Sequence, residues 1–321
     1  MSMRQNPLGR TGLNIPELVL GGGFVGGVMI DPPPDVRRQA LDMCLDAGCD
    51  WVDTATSYGQ GQSETNIGAL LAEMPAAKRP RISSKIGLKR ADMADPKGAV
   101  RRAIEASLSR LKLDRVEVYQ LHNRIGHAGG DWLSPYDVLR PGGVADAFAA
   151  IKEDGLAGHV GFTALGDPGP IRDVMASERF ETAQVYYNML NPSAGRNVRP
   201  SFGTTDFRGL LGACKAHGLG VFAIRILAAG VLATEARHGR ELPVTLRKRA
   251  PRPPGRRSAR AMNPMPRRRR ASRSRSRASA RRSSARRRSS MSRSRCPPRR
   301  PDRSSPKRSG GSTRSTPERK S

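Results

Sequence analysis

The chain has 321 residues and a formal charge of +29, with 57 lysines and arginines against 28 acidic residues. The excess lies in residues 247–321, which hold 29 basic and 2 acidic residues, whereas residues 1–246 hold 28 and 26. All 7 Phe, 5 Tyr and 2 Trp residues precede position 247. The few apolar residues in 247–321 cannot offset the roughly 1–2 kcal/mol of backbone entropy that each ordered residue loses on folding. Composition therefore excludes one folded basic domain and predicts a nearly neutral domain, 1–246, followed by a disordered basic tail, 247–321.

The cysteines and the apolar runs indicate the compartment. The 4 cysteines show neither CxxC nor Cys/His metal spacing, so no metal site is expected. The N-terminus lacks the apolar run of a signal peptide, and no segment has the 18 or so consecutive apolar residues that a membrane helix needs. We expect a soluble, cytoplasmic protein with reduced thiols and no contact with a membrane.

Apolar periodicity along the chain predicts alternating strands and helices. The predicted strands are Leu18–Leu20, Trp51–Asp53, Ile82–Lys85, Val116–Leu121, Val160–Thr163, Ala183–Tyr187 and Val221–Ile226. The predicted helices are Asp35–Ala47, Glu64–Ala72, Pro96–Lys112, Val144–Asp154, Pro170–Ser177 and Phe207–His217. Strict alternation is typical of an α/β fold with a parallel sheet and right-handed crossovers. The pattern leaves open whether the sheet is open or closed.

Residues at the ends of the predicted helices support their boundaries. Asp95 precedes Pro96, which places a capping side chain and a ring with a preset φ at a helix start. Gly48, Gly155 and Gly218 each follow a helical segment, where a left-handed C-cap favours glycine.

The segment 21–26, GGGFVG, satisfies the GxGxxG pattern of dinucleotide-binding loops directly after the first predicted strand. That fingerprint requires a helix to begin at once, so that its N-terminal amides meet the pyrophosphate. Here three prolines, Pro32 to Pro34, follow the loop, and they are incompatible with an early helix interior. The alternative, a flexible loop over the carboxyl-end mouth of the sheet, is favoured.

Four polar residues lie at the carboxyl ends of consecutive predicted strands: Asp53, Tyr58 in the next loop, Lys85 and His122. Active sites of parallel α/β barrels are built at this edge. A tyrosine hydroxyl, with a reference pKa near 10, becomes a useful acid when a cation stabilises its phenolate. Lys85 paired with Asp53 could supply that charge, and His122 could orient a carbonyl oxygen or relay the proton.

Each of these residues also has a purely structural interpretation. An Asp at a strand end often caps a turn, a loop Tyr packs one ring face, a strand-end Lys reaches solvent, and a His can be a hydrogen-bonded core residue. The joint occurrence of all four types on successive strand ends favours the active-site interpretation.

Several segments resemble the aldo-keto reductase family in sequence and in order. They are LGRTG at 8–12, IPELVLG at 15–21, DAGCDWVDTATSYG at 46–59, YQLH at 119–122, GHVGFT at 158–163 and AQVYYN at 183–188. The resemblance covers about residues 6–245, and its motifs run to about Gly230. It implies a (β/α)₈ TIM barrel that reduces aldehydes and ketones with NADPH or NADH.

By position, the resemblance implies Tyr58 as the general acid, Lys85 and Asp53 as the pair that tunes it, and His122 as the partner that orients the carbonyl.

The resemblance also implies a cofactor set at the carboxyl ends of later strands. Thr163 and Gln184 match positions that hold the nicotinamide carboxamide, and Asn188 lies nearby in the chain. Arg225 stands where many members of the family have an aromatic that stacks on the nicotinamide, and its guanidinium plane is expected to replace that ring.

The end of the domain departs from the family. No strand pattern follows 221–226, and the segment 241–246 is the last apolar stretch. A barrel of this type needs eight strands, and its phosphate site is built by the loops after the seventh and eighth. The predicted fold is therefore a TIM barrel truncated after strand seven, without half of its cofactor site.

Two explanations of the basic tail compete. Its arginine clusters, such as 267–270 and 286–288, could bind phosphates of nucleic acid nonspecifically through counterion release. Alternatively, a frameshift in a GC-rich gene would replace Ala-, Gly- and Leu-rich helices by Arg, Ser, Pro and Ala. The junction lies inside the domain and before its closing strand, which favours the frameshift.

The favoured function is an NAD(P)-dependent oxidoreductase that reduces an aldehyde or ketone, or oxidises an alcohol or sugar, with Tyr58 as proton donor. The alternative is a catalytically inactive barrel remnant with a nonspecific nucleic-acid-binding tail. The expected partners are a small carbonyl or alcohol substrate and the nicotinamide cofactor.

Overall fold

The computed structural model describes residues 3–23, 25–199 and 203–233. Its central feature is a sheet of seven parallel strands whose order follows the chain. The strands are β3 (Leu20–Gly21), β4 (Trp51–Asp53), β5 (Arg81–Ile86), β6 (Val116–Leu121), β7 (Ala157–Ala164), β8 (Thr182–Tyr186) and β9 (Gly220–Ile224). The predicted parallel α/β fold is confirmed. The segment 241–246 and the tail 247–321 lie outside the described residues.

The helices that cover the sheet are α1 (Pro34–Asp46), α2 (Gln62–Ala72), α3 (Pro96–Leu111), α4 (Pro135–Leu139), α5 (Val144–Glu153), α6 (Pro168–Ala176) and α7 (Leu210–Ala216). All six predicted helices are present. The seventh, α4, was not predicted, although Ser134 and Asp137 form a capping box around Pro135, which is a readable signal. Helix α7 begins later than predicted because Gly209, with φ 70°, interrupts the helical backbone before Leu210.

The predicted capping residues act as expected. Asp95 accepts a hydrogen bond from Gly98 N at 2.9 Å. Gly48, Gly155 and Gly218 have φ values of 84°, 76° and 64°, a left-handed backbone that glycine adopts without strain. The GxGxxG segment is followed by turns, and α1 begins only at Pro34, so the described residues lack a helix start at a phosphate loop.

An N-terminal hairpin, β1 (Gln5–Pro7) paired antiparallel with β2 (Asn14–Pro16), was not predicted. Leu8 and Ile15 from this hairpin are buried in one cluster with Trp51, Val118 and Phe222 from the inner face of the sheet. Arg10 N also donates to Gly218 O at 2.8 Å, next to the start of β9. The hairpin therefore covers the amino ends of the strands and leaves the carboxyl ends for a site.

The larger core lies between the sheet and the helices. Tyr119 of β6 stacks on Phe148 of α5 at 5.9 Å between ring centroids, and Phe180 contacts both Phe148 and Phe162. Because successive strand residues point to opposite faces, Tyr119 packs outward whereas Gln120 points toward the inner face of the sheet. None of the described helices combines the length and apolarity that crossing a membrane requires.

Candidate functional site

The four residues singled out at the strand ends meet at the carboxyl edge of the sheet. Asp53 is the last residue of β4, Lys85 precedes the last residue of β5, and His122 directly follows β6. Tyr58 begins a 3₁₀ turn, Tyr58–Gly61, in the loop after β4. Parallel register brings these ends together, with Asp53 beside Ser83 and Lys85 beside Gln120.

Lys85 and Asp53 form an ion pair at the base of the site. Lys85 Nζ lies 2.7 Å from Asp53 Oδ2 and 2.5 Å from Thr54 O, and the lysine side chain is fully buried. Burial by itself lowers the pKa of Lys85, but the charge of Asp53, and next that of Tyr58, with hydrogen bonds to both, outweigh burial and raise it. Lys85 is therefore a permanent cation at neutral pH.

Tyr58 lies above this cation. Lys85 Nζ is 4.8 Å from the centroid of the Tyr58 ring, and a hydrogen bond to Tyr58 contributes to the raised pKa of the lysine. The ring of His122 meets the ring of Tyr58 edge-on, with centroids 5.7 Å apart and planes at 82°. A carbonyl oxygen between the phenol and the imidazole would therefore contact both polar groups.

His122 is held in its neutral form. Burial, followed by the positive charge of Lys85, lowers its pKa to about 3. Its Nδ1 lies 3.3 Å from Ser57 Oγ. A neutral imidazole donates a hydrogen bond but carries no extra proton at pH 7. The lowered pKa, together with the edge-on contact to Tyr58, favours the carbonyl-orienting role over the proton relay.

Ser83 is a further member of the site that the sequence analysis missed. Its Oγ donates to Asp53 Oδ1 at 2.9 Å and accepts from Trp51 Nε1 at 3.2 Å. The sequence could have indicated this role, because Ser83 lies two residues before Lys85 and both side chains therefore lie on one face of β5.

A cleft of about 910 Å³ opens above these groups. Its wall includes Asp53, Tyr58, His122, Thr163, Gln184 and Arg225, and the glycine-rich segment contributes Gly21, Gly23 and Gly26. A Cβ added at Gly23 would lie 3.3 Å from the Tyr58 ring, so the loop packs closely on the phenol. The glycine-rich segment therefore borders the mouth, as the loop interpretation predicted.

The residues expected to hold nicotinamide differ in their hydrogen bonds. Thr163 is 1% exposed, and its Oγ1 is buried without a hydrogen-bond partner among the described residues. Gln184 donates from Nε2 to Asp53 Oδ1 at 2.9 Å, which links the proposed cofactor wall to the ion pair. An unpaired hydroxyl in a polar cleft is a fitting partner for a carboxamide.

Asn188 does not line this cleft. Its Nδ2 donates to Arg225 O at 3.1 Å, and its Oδ1 accepts from the backbone amides of Leu190 and Asn191. It shapes the backbone beside the site. Arg225 does line the cleft, with a φ of 57° that a non-glycine residue rarely adopts.

Across the described part of the chain, no group of three or more His, Cys, Asp or Glu side chains is placed to hold a metal ion. The part of the cofactor site that the sequence analysis expects to be missing would follow the seventh strand, and residues beyond position 233 lie outside the described ranges.

Comparisons with known proteins agree with this architecture. The model of the Aldo/keto reductase family matches residues 17–283, a range that continues past position 246. An uncharacterised oxidoreductase of Bacillus subtilis, YrpG, is 27% identical over 253 residues, 73% of this chain and 69% of the relative. The NADH-specific methylglyoxal reductase of Escherichia coli is 23% identical over 218 residues, which cover 62% of this chain and 63% of the relative, less than two thirds of its length.

A solved structure of an aldo-keto reductase from Pseudomonas aeruginosa superposes with a TM-score of 0.54 at 27% identity, and covers 71% of this chain and 79% of that one. The family match spans most of the chain, and the seven parallel strands have the order of that barrel fold. The chain therefore belongs to the aldo/keto reductase family of oxidoreductases.

Proposed function

We propose that this chain reduces a small aldehyde or ketone, or oxidises the corresponding alcohol or sugar, with a nicotinamide cofactor. When bound at the wall formed by Thr163 and Gln184, a reduced nicotinamide would supply the hydride that the carbonyl carbon accepts. The side chain of His122, neutral at pH 7, donates a hydrogen bond to the carbonyl oxygen, and Tyr58 gives that oxygen its proton. Lys85 stabilises the phenolate that Tyr58 leaves, and Asp53 holds Lys85 in place.

The single observation that carries this proposal is the fully buried Lys85, paired at 2.7 Å with Asp53 and 4.8 Å from the Tyr58 ring. Burial of a lysine destabilises the fold, because desolvation of its ammonium costs several kcal/mol that pairing offsets only in part. A buried lysine therefore indicates a functional role. A cation beneath a tyrosine in a polar cleft is what phenol acid catalysis needs.

The cofactor is NADPH or NADH in this proposal. Thr163 with its unpaired hydroxyl would hold the carboxamide, Gln184 would support it, and Arg225 would lie along the ring. The relative from Escherichia coli is an NADH-specific methylglyoxal reductase, which supports nicotinamide chemistry in general. A reducing, cytoplasmic setting is proposed as well, since Cys44, Cys49 and Cys214 are free thiols.

Oxidation of NADPH and NADH with a panel of small aldehydes tests the proposal. Tyr58→Phe should lower kcat by about 10²–10⁴-fold, because it removes the proton donor and keeps the ring. Tyr119→Phe is the matched control, since its hydroxyl lies on the outer face of the sheet, 3.5 Å from Ser107 Oγ. Equal rates for the parent and Tyr58→Phe would exclude the proposed role.

The division of the chain at position 246 is also a proposal. The arginine-rich residues 247–321 lie outside the described residues, and no structural observation favours the nucleic-acid-binding alternative. The frameshift explanation is tested on the coding DNA. Shifting the frame by one nucleotide near codon 246 should restore a strand and helix pattern, and an uninterrupted Arg/Ser pattern in every frame would exclude it.

A further inference from the structure

A second cavity, of about 390 Å³, adjoins the candidate site. Gly87, Leu88 and Lys89 form one wall after β5, and Asn123, Arg124, Asp131 and Trp132 form the other after β6. His122 lines both this cavity and the larger cleft. A carbonyl compound whose oxygen contacts His122 can therefore extend away from the Tyr58 side into the second cavity.

The walls of this cavity are fixed by a buried side chain. Asn123 is 6% exposed and donates from Nδ2 to Leu88 O and to Asp131 O, both at 2.7 Å. Its Oδ1 accepts from Leu88 N at 2.8 Å. One amide thus ties the two walls together, so the cavity has a defined width before any ligand enters.

The charges in this cavity are predominantly positive. Lys89 and Arg124 are exposed and line it, and neither forms an ion pair within the described ranges. Arg124 instead lies over the Trp132 ring, with Cζ 5.5 Å from the centroid. Asp131 is the acidic residue of the lining. Nearby, Arg90 is neutralised by Asp137 at 2.8 Å.

We propose that this cavity binds the carboxylate of the substrate, so that the preferred substrates are small aldehydes or ketones that carry an acid group. The inference rests on the proposed function, because it places the reacting carbonyl at His122. Arg124, positioned by Trp132, and Lys89 bind the carboxylate, and Asp131 limits the affinity by repulsion. The hydride goes to the carbonyl carbon and the Tyr58 proton to its oxygen, so the aldehyde becomes an alcohol and the carboxylate is unchanged.

The test compares 4-oxobutanoate with its uncharged methyl ester as substrates of the full chain. We expect a higher kcat/KM for the acid, and a ratio of acid to ester that falls about tenfold in Arg124→Gln and in Lys89→Gln. Asp131→Asn should change the ratio in the opposite direction and raise it several-fold, since it removes a repulsive charge. Added salt should raise KM for the acid and not for the ester.

Two substitutions at the opposite edge of the sheet serve as controls. Arg115 lies directly before β6, whereas Arg124 lies after it, and Lys215 lies in the last turn of α7. Arg115→Gln and Lys215→Gln should keep the parent ratio. An unchanged ratio in Arg124→Gln and Lys89→Gln, or a lower ratio in Asp131→Asn, would overturn the inference.

A binding measurement separates this inference from the proposed function. Saturation-transfer NMR with 4-hydroxybutanoate, without cofactor, should show binding to the parent and loss of binding in Arg124→Gln. If no aldehyde is turned over but this pattern is seen, the carboxylate site stands and the proposed reaction fails. Equal signals for 4-hydroxybutanoate and its methyl ester would overturn the carboxylate site.

Discussion

Lys85 Nζ and Asp53 Oδ2 lie 2.7 Å apart across neighbouring strands, with the lysine fully buried and the aspartate partly buried. The pair joins fold and chemistry, because the same Asp53 carboxylate accepts from Ser83 and from Gln184 through its other oxygen. Each group on this carboxylate can therefore be removed separately, and the effects on stability and on rate compared.

Lys85→Met should impair both the fold and the reaction. It leaves the Asp53 carboxylate without its cation, which for buried pairs costs about 3–5 kcal/mol of stability. Among molecules that remain folded, kcat should fall by about 10²-fold or more, since the Tyr58 phenolate loses its stabilising charge. Urea unfolding and NADPH oxidation measure the two effects. Lys215→Met, at the far end of α7, should change neither, and a Lys85→Met enzyme with parental kcat would contradict the role.

Ser83→Ala and Ser84→Ala form a matched pair on β5. Ser83 Oγ donates to Asp53, whereas Ser84 Oγ donates to the buried Glu64 at 2.5 Å on the opposite face. A hydrogen bond to a charged group contributes about 1.5–3 kcal/mol, so both variants should lose stability. Only Ser83→Ala should also lower kcat and shift its pH profile. Equal kinetic effects from the two would show that Ser83 is merely structural.

The low pKa of His122 predicts how stability depends on pH. The folded-state value of about 3 lies below the reference value of 6.5, so the unfolded state takes up the proton first. The contribution of neutral His122 to the free energy of unfolding is complete above pH 6.5 and is lost as the pH falls toward 3. About 2 kcal/mol of it is lost at pH 5. The free energy of unfolding, measured by chemical denaturation, should therefore differ less between pH 7 and pH 5 in His122→Asn than in the parent. Titration of the parent imidazole near pH 6.5 by NMR would refute the prediction.

Thr163→Val should separate cofactor binding from stability. The Thr163 hydroxyl is buried and unpaired among the described residues, so a methyl group in its place should leave the melting temperature unchanged or higher. KM for NADPH should rise by about tenfold if the hydroxyl binds the carboxamide. Thr182→Val is the contrasting control. Its Oγ1 accepts from Gln120 Nε2 at 3.1 Å, so stability should fall with no change in KM. An unchanged KM in Thr163→Val would remove this residue from the cofactor site.

The fold was predictable because its signals are local. The alternation of apolar segments, the N-cap Asp95 and the three C-cap glycines each depend on a few neighbouring residues. The hairpin was missed because Gln5–Pro7 and Asn14–Pro16 are too short for a periodic signal, and only burial of Leu8 and Ile15 against the inner face of the sheet explains them.

The candidate site was predictable in part. Asp53, Lys85 and His122 could be placed together since the carboxyl ends of parallel strands share one edge. The hydrogen bond from Gln184 to Asp53, 131 positions away in the chain, could not be predicted. The hydrogen bonds of Asn188 to the backbone of Arg225 and Leu190 could not be predicted either. These contacts depend on how far the sheet curls, which no periodicity encodes.

The sequence by itself determined the class of the fold, the charge division at position 246 and the residue types at the catalytic edge, because these follow from composition and short-range pattern. Tertiary structure alone decided the protonation of His122, the support of Asp53 by Ser83 and the positive second cavity beside the site. The physical reason is that pKa values and pocket charges depend on through-space distance and on burial. The lowered pKa of His122 requires Lys85, from another strand, to be near it and the imidazole to lose part of its contact with water.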